Sequence, residues 1–121
     1  MAKILIVDDS NAIRQQVGSF LEINGLDFVA AVDGVDGLAK LKANPDTKLI
    51  LCDMNMPNMD GLTMVETIRN ELGNHTVNII MLTADANEAM RKRAQEAGVK
   101  SWIIKPFRGE GMIPMIMEFL E

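Results

Sequence analysis

"KILIVDDSN", Lys3 to Asn11, decides how the rest of the chain is read. Ile4, Leu5, Ile6 and Val7 form an aliphatic, mostly β-branched run that is too short for a stable helix. Such a run reads as a strand buried on both faces. Two aspartates, Asp8 and Asp9, follow it directly. Carboxylates at a strand end lose hydration and repel each other unless something positive joins them. The plain alternative is a solvated turn in which Asp9 or Ser10 caps the next helix.

Working outward, the pattern alternates between two periods. Lys3–Val7 is a first strand. Ser10 or Asn11 can cap a helix in which Ile13, Val17, Phe20 and Leu21 share one face, with Asn24-Gly25 stopping it. Asp27–Ala31 is a weak second strand. A second helix near Val35–Lys42 buries Leu38 and Leu41 and ends before Asn44-Pro45. Leu49–Cys52 is a third strand, again short and apolar. "MNMPNMDGL" reads as a loop from Pro57, Asn58 and Asp60-Gly61. A third helix carries Leu62, Val65, Ile68 and Leu72. Asn78–Leu82 is a fourth strand, Asn87–Ala97 an Ala-rich fourth helix ended by Gly98, and Trp102–Ile104 a fifth strand. The closing helix contains Pro114, which has no N–H to donate. This predicts either a late start, near Met112 to Pro114, or a kink. Met112, Ile116, Phe119 and Leu120 share one face; the neighbouring methionines suit either gap filling or an apolar partner surface.

Five strands alternating with five helices predict an α/β chain, a flavodoxin-like doubly wound (βα)5 sandwich. Right-handed crossovers and this length favour a parallel five-stranded sheet in the order 2-1-3-4-5. Residues 1–121 are expected to form a single domain, without repeats or linkers.

Composition narrows the function classes. Twelve basic against seventeen acidic residues give a net charge of −5, which disfavours nucleic acid and anionic membrane as partners. Cys52 is the only cysteine, so intrachain disulfides are impossible, and the expected location is cytoplasmic. It reads as an inert core thiol. His75 has no second histidine or cysteine nearby to form a metal or catalytic pair. No signal-like or membrane-spanning apolar stretch is present.

Function in such a fold sits beyond the carboxyl ends of the strands. The first strand ends in Asp8 and Asp9, the third in Asp53, the fourth in Thr83 and the fifth in Lys105-Pro106. Converging carboxylates call for a hard divalent cation with oxygen ligands, Mg²⁺ above all. With Lys105 and Thr83 beside it, such a site can position a phosphoryl group, and one carboxylate can serve as nucleophile.

The ordered set "VDDS", "LCDMNMPNMDG", "MLTA" and "IIKPF" resembles the receiver domain of bacterial two-component response regulators. It is most similar to stand-alone chemotaxis regulators of the CheY type. The resemblance covers essentially the whole chain. It implies that Asp53 is the phosphoacceptor and also a ligand of the Mg²⁺ site, that Asp9 ligates Mg²⁺ directly and that Asp8 does so through water. The backbone carbonyl of Asn55 matches a further ligand. Thr83 matches the hydroxyl that moves to the phosphoryl group, Lys105 the cation that pairs with it, and Trp102 the switch aromatic. The indole of Trp102 only donates, so it cannot reproduce a tyrosine hydroxyl's accepting contacts. A cis Lys105-Pro106 bond is implied too. Asn55, Ala84 and Asp85 match positions that tune phosphoryl lifetime, with Asp85 a possible handle for a phosphatase. The implied partners are a histidine kinase and a downstream target, the flagellar motor switch first among them, met by a monomer through the face of the fourth helix, fifth strand and fifth helix.

Competing readings are weaker. A haloacid dehalogenase-type phosphatase would place its nucleophile after the first strand, with a second aspartate two positions on; here the candidate follows the third strand and that position is Asn55. A flavodoxin-like cofactor binder needs a Ser/Thr/Gly-rich phosphate loop where this chain has "DDSN". A receiver fragment of a larger regulator or kinase is a further alternative.

Overall fold

The computed structural model describes residues 4–83, 88–104 and 109–120, without the side chains of residues 109 and 110. Strands and helices alternate in the order β1 (Ile4–Val7), α1 (Asn11–Ile23), β2 (Phe28–Ala31), α2 (Gly34–Ala43), β3 (Leu49–Asp53), α3 (Gly61–Asn70), β4 (Asn78–Thr83), α4 (Glu88–Glu96), β5 (Ser101–Ile104) and α5 (Gly109–Leu120). All strand pairs are parallel and the sheet order is β2-β1-β3-β4-β5, as the alternating pattern predicts.

The pleat sorts alternate strand residues to opposite faces. Leu5, Val7, Ile50, Cys52, Ile79 and Met81 form one apolar layer with Leu41, Leu62, Val65, Ile68 and Ala94 of α2, α3 and α4. Ile4, Ile6, Leu49, Leu51, Ile80 and Leu82 form the other with Val17 and Leu21 of α1 and Met112 and Ile116 of α5. Central strands covered on both faces account for the unbroken apolar runs in the sequence.

Among the described residues, three helices begin with a capping side chain. Ser10 accepts from the Ile13 N–H, Asp33 from Asp36 and Asp60 from Thr63. The Asp33 cap starts α2 at Gly34, one residue before the predicted boundary, and α2 runs to Ala43. The third and fourth strands each extend one residue past expectation, to Asp53 and Thr83, because Asp53 still pairs in register with Leu82 and Thr83 with Ile104. The late start predicted for the closing helix is not found: α5 is already helical at Gly109, with an exposed Pro114 at its sixth residue.

At the opposite edge of the sheet, buried Arg69 locks the ends of two helices together. It donates to the carbonyls of Ala97 (2.8 Å), Asn74 (3.0 Å) and Gly98 (3.3 Å), satisfying the C-terminal end of α4. Burial pulls its guanidinium pKa down. Among the described residues, no helix is long and apolar enough to cross a membrane.

Candidate functional site

β1 and β3 are neighbours, and Val7 pairs with Cys52. One residue beyond that pair, Asp8 and Asp53 therefore emerge side by side, with Asp9 next in the chain. Carboxylate oxygens of Asp8, Asp9 and Asp53 lie within 4.8 Å of one another. Asp8 and Asp53 are buried and Asp9 is exposed. Two unit charges at that spacing repel by about 3 kcal/mol at an effective dielectric near 20, less where water screens Asp9. The field reaches the neighbouring thiol. Burial pushes the pKa of Cys52 well up, and the charges of Asp53, Asp8 and Asp60 add to it. The oxygen-only donor set and its concentrated negative charge fit a small hard dication such as Mg²⁺.

Local bonds hold the acidic turn. The Ser10 N–H donates to Asp8 Oδ1 at 2.9 Å, and Arg14 Nη1 donates to the Asp8 carbonyl at 2.7 Å. Arg14 also reaches Asn11 Oδ1 at 3.3 Å. Its role was missed from the sequence, although it stands on the first turn of α1, four residues after the Ser10 cap, within reach of the strand end it steadies.

Thr83 ends β4, fully buried, one residue beyond the Asp53–Leu82 pair. Trp102 lies two residues before the end of β5, opposite Met81, half-buried against the α2-α3-α4 layer. The Arg91 guanidinium sits 5.3 Å from its ring centroid, a cation–π distance. Lys105 and Pro106, with the bond between them, and Ala84 and Asp85 lie outside the described residues.

The loop between Asp53 and α3 carries Asn55, which is exposed. Its base is closed by the Gly61 N–H donating to the Met54 carbonyl at 2.9 Å. A Cβ at Gly61 would collide with the Asp53 carbonyl oxygen, so only glycine lets α3 start directly beneath the acidic edge. Near its tip, Asn58 adopts φ +67°, and its Nδ2 donates to Asp33 Oδ2 at 2.7 Å. The Gly34 N–H donates to the Met59 carbonyl at 3.3 Å. The link to Asp33 was also missed. Its sequence signal is the spacing of Asp33 and Asp36: Asp36 gives its N–H to Asp33 and accepts from the Val32 N–H in return.

A cavity of about 340 Å³ lies at the far edge, between the C-terminal ends of α3 and α4. Its arginines are already engaged, Arg93 with Glu66 at 2.7 Å and Arg69 with three carbonyls.

The family described as "Response regulator receiver domain" matches residues 4–117. The chain is 40% identical over 106 residues to chemotaxis protein CheY1 of Helicobacter pylori, covering 87% of this chain and 86% of that protein. Chemotaxis protein CheY4 of Vibrio cholerae has a solved structure with TM-score 0.89, 33% identity and 98% of each chain covered. A CheX-CheY-BeF3-Mg²⁺ complex from Borrelia burgdorferi contains a chain matching at TM-score 0.87 and 28% identity, over 97% of this chain and 87% of that one.

Proposed function

Since the chain belongs to the response regulator receiver family and is of the CheY type, we propose that it is a phosphorylation switch with Asp53 as phosphoacceptor. The observation that carries this reading is the meeting of the Asp8, Asp9 and Asp53 carboxylates within 4.8 Å at the ends of adjacent strands. A carboxylate oxygen of Asp53 attacks the phosphorus of a kinase phosphohistidine. The phosphorus–nitrogen bond breaks, and the imidazole leaves with the electron pair. Asp9, Asp8 through water and the Asn55 carbonyl would hold Mg²⁺, which when bound neutralises charge on the phosphoryl oxygens. Lys105 pairs with the phosphoryl group and Thr83 donates its hydroxyl to it. Asn55, Ala84 and Asp85 set how long the group survives.

The output follows from Thr83 and Trp102. As Thr83 shifts toward the phosphoryl group, Trp102 moves with it, and the face of α4, β5 and α5 changes its affinity for a target. Ile104 is 48% exposed and Met117 44%, which supports an apolar contact there. A histidine kinase upstream and a chemotaxis target downstream, the flagellar motor switch first among them, complete the scheme within one receiver domain spanning residues 1–121.

Incubation with Mg²⁺ and a small-molecule phosphodonor, read by intact mass, tests the chemistry. One phosphoryl group is expected on the native chain and none on Asp53→Asn. An unmodified native chain, or equal modification of the variant, overturns the assignment.

A further inference from the structure

We infer that Asp33 and Asn58 are positioning residues for the metal site, fastening the loop that carries Asn55 to the N-terminus of α2. The inference rests on the reading of the Asn55 carbonyl as a Mg²⁺ ligand. Separate observations carry it. Among the described residues, Asn58 is the only non-glycine with positive φ, at +67°. That conformation is disfavoured for most side chains and is best tolerated by asparagine and glycine. The 2.7 Å bond from Asn58 Nδ2 to Asp33 Oδ2 spans 25 positions of sequence and is partly buried. Beside it, the backbone of Gly34 approaches so closely that a Cβ would lie 2.7 Å from Met59 Cγ and 2.8 Å from the Met59 carbonyl oxygen. A side chain at residue 34 would force the two loops apart.

The loop is thus held twice, at its base by the Gly61–Met54 bond and near its tip by Asn58 and Met59. Asn55 lies on the span between. A backbone carbonyl is a useful ligand only if the loop presents it at the same place each time, and outer partners of this kind alter metal affinity. Asp33 divides its oxygens between two tasks. Oδ1 caps α2 through the Asp36 N–H at 2.8 Å, while Oδ2 holds the loop. The two tasks are therefore separable by mutation.

Calorimetric Mg²⁺ titration of the whole chain tests the inference. Asn58→Gly keeps the backbone conformation and removes the bond; Asp33→Ser keeps a capping oxygen and removes it from the other side. Each is expected to weaken Mg²⁺ binding roughly tenfold. The exchange Asp33→Asn with Asn58→Asp restores a donor–acceptor pair and is expected to bring affinity back to within about threefold of native, a margin small against that tenfold loss. Melting of the metal-free variants is measured alongside. A merely structural contact would lower the melting temperature and leave the isotherms of folded variants superimposable on the native one. Native-like affinity in both single variants, or a loss that the exchange does not repair, overturns the inference. If Asp33→Ser does not fold, Asn58→Gly and the exchange decide. A native chain that binds no Mg²⁺, or that binds it equally well as Asp9→Asn, sinks the metal-site reading and this inference with it; intact native binding beside unaffected loop variants sinks the inference alone.

Discussion

At the scale of single residues, glycine and arginine carry more of the architecture than their frequency suggests. Gly61→Ala drives a methyl group into the Asp53 carbonyl, with Cys52 Sγ and Met81 Cε each 3.0 Å away. Overpacking of this kind costs about 1–3 kcal/mol, and here the obstacle is backbone, so the upper end is expected in urea unfolding. The same substitution at Gly25 meets no side chain and tests only the turn's φ of +70°. Arg69→Ala strips three carbonyls of a buried charged donor and should cost about 2–3 kcal/mol by the same measurement. Asp53 and Asp8 were legible in the sequence because acids ending two apolar runs of one parallel sheet meet at the same edge, which a solvated turn at each strand end does not explain. Arg69 was not. Two of its three partners lie 28 and 29 positions away, and an arginine near the end of an amphipathic helix reads as surface charge until the fold folds it under.

At the scale of elements, the cap of α2 makes stability depend on pH. The N–H of Asp36, and then the Asn58 amide, hold the Asp33 pKa below its ordinary value. A lowered folded pKa means that this stabilisation is complete above the unfolded value of about 3.9 and is lost as pH falls through the folded value. Asp33→Asn should therefore be less stable than the native chain at neutral pH, with the gap narrowing below about pH 4; melting followed from pH 7 to pH 2 checks this. A gap that widens in acid would contradict the assignment. Strand and helix order was readable because each element has its own apolar period. Element ends were harder: Asp53 belongs to its strand through Leu82, distant in sequence, while the Asp33 cap is local, accepting from Asp36, but rests on a short Asp-x-x-Asp spacing that is a weak signal. Pro114 shows the opposite limit. Local chemistry argued for a late helix start or a kink; the late start is not found, and Met112 and Ile116, fully or almost fully buried against the sheet, hold α5 in place around Pro114.

At the scale of the whole molecule, the acidic edge sets stability against readiness for metal. In metal-free buffer, Asp9→Asn removes one of three mutually repelling charges and should raise stability by about 1 kcal/mol, a figure kept small because Asp9 is exposed. Mg²⁺ at a hundred times its dissociation constant should stabilise the native chain by about 2.7 kcal/mol and the variant by clearly less. Melting with and without Mg²⁺ reads both effects, and a variant less stable than native without metal would contradict the repulsion. The sheet order has a separate consequence for how the chain is made. Three adjacent strands from one side of the sheet, β2, β1 and β3, are complete once residue 53 has left the ribosome, and β4 and β5 then join beyond β3 in turn. The layer against α1 stays open longer, because α5, which covers it with Met112 and Ile116, is the last of these five helices to be synthesised. A half-made chain therefore shows solvent the flank of Leu49 and Leu51, the kind of surface that chaperones and hydrophobic dyes recognise.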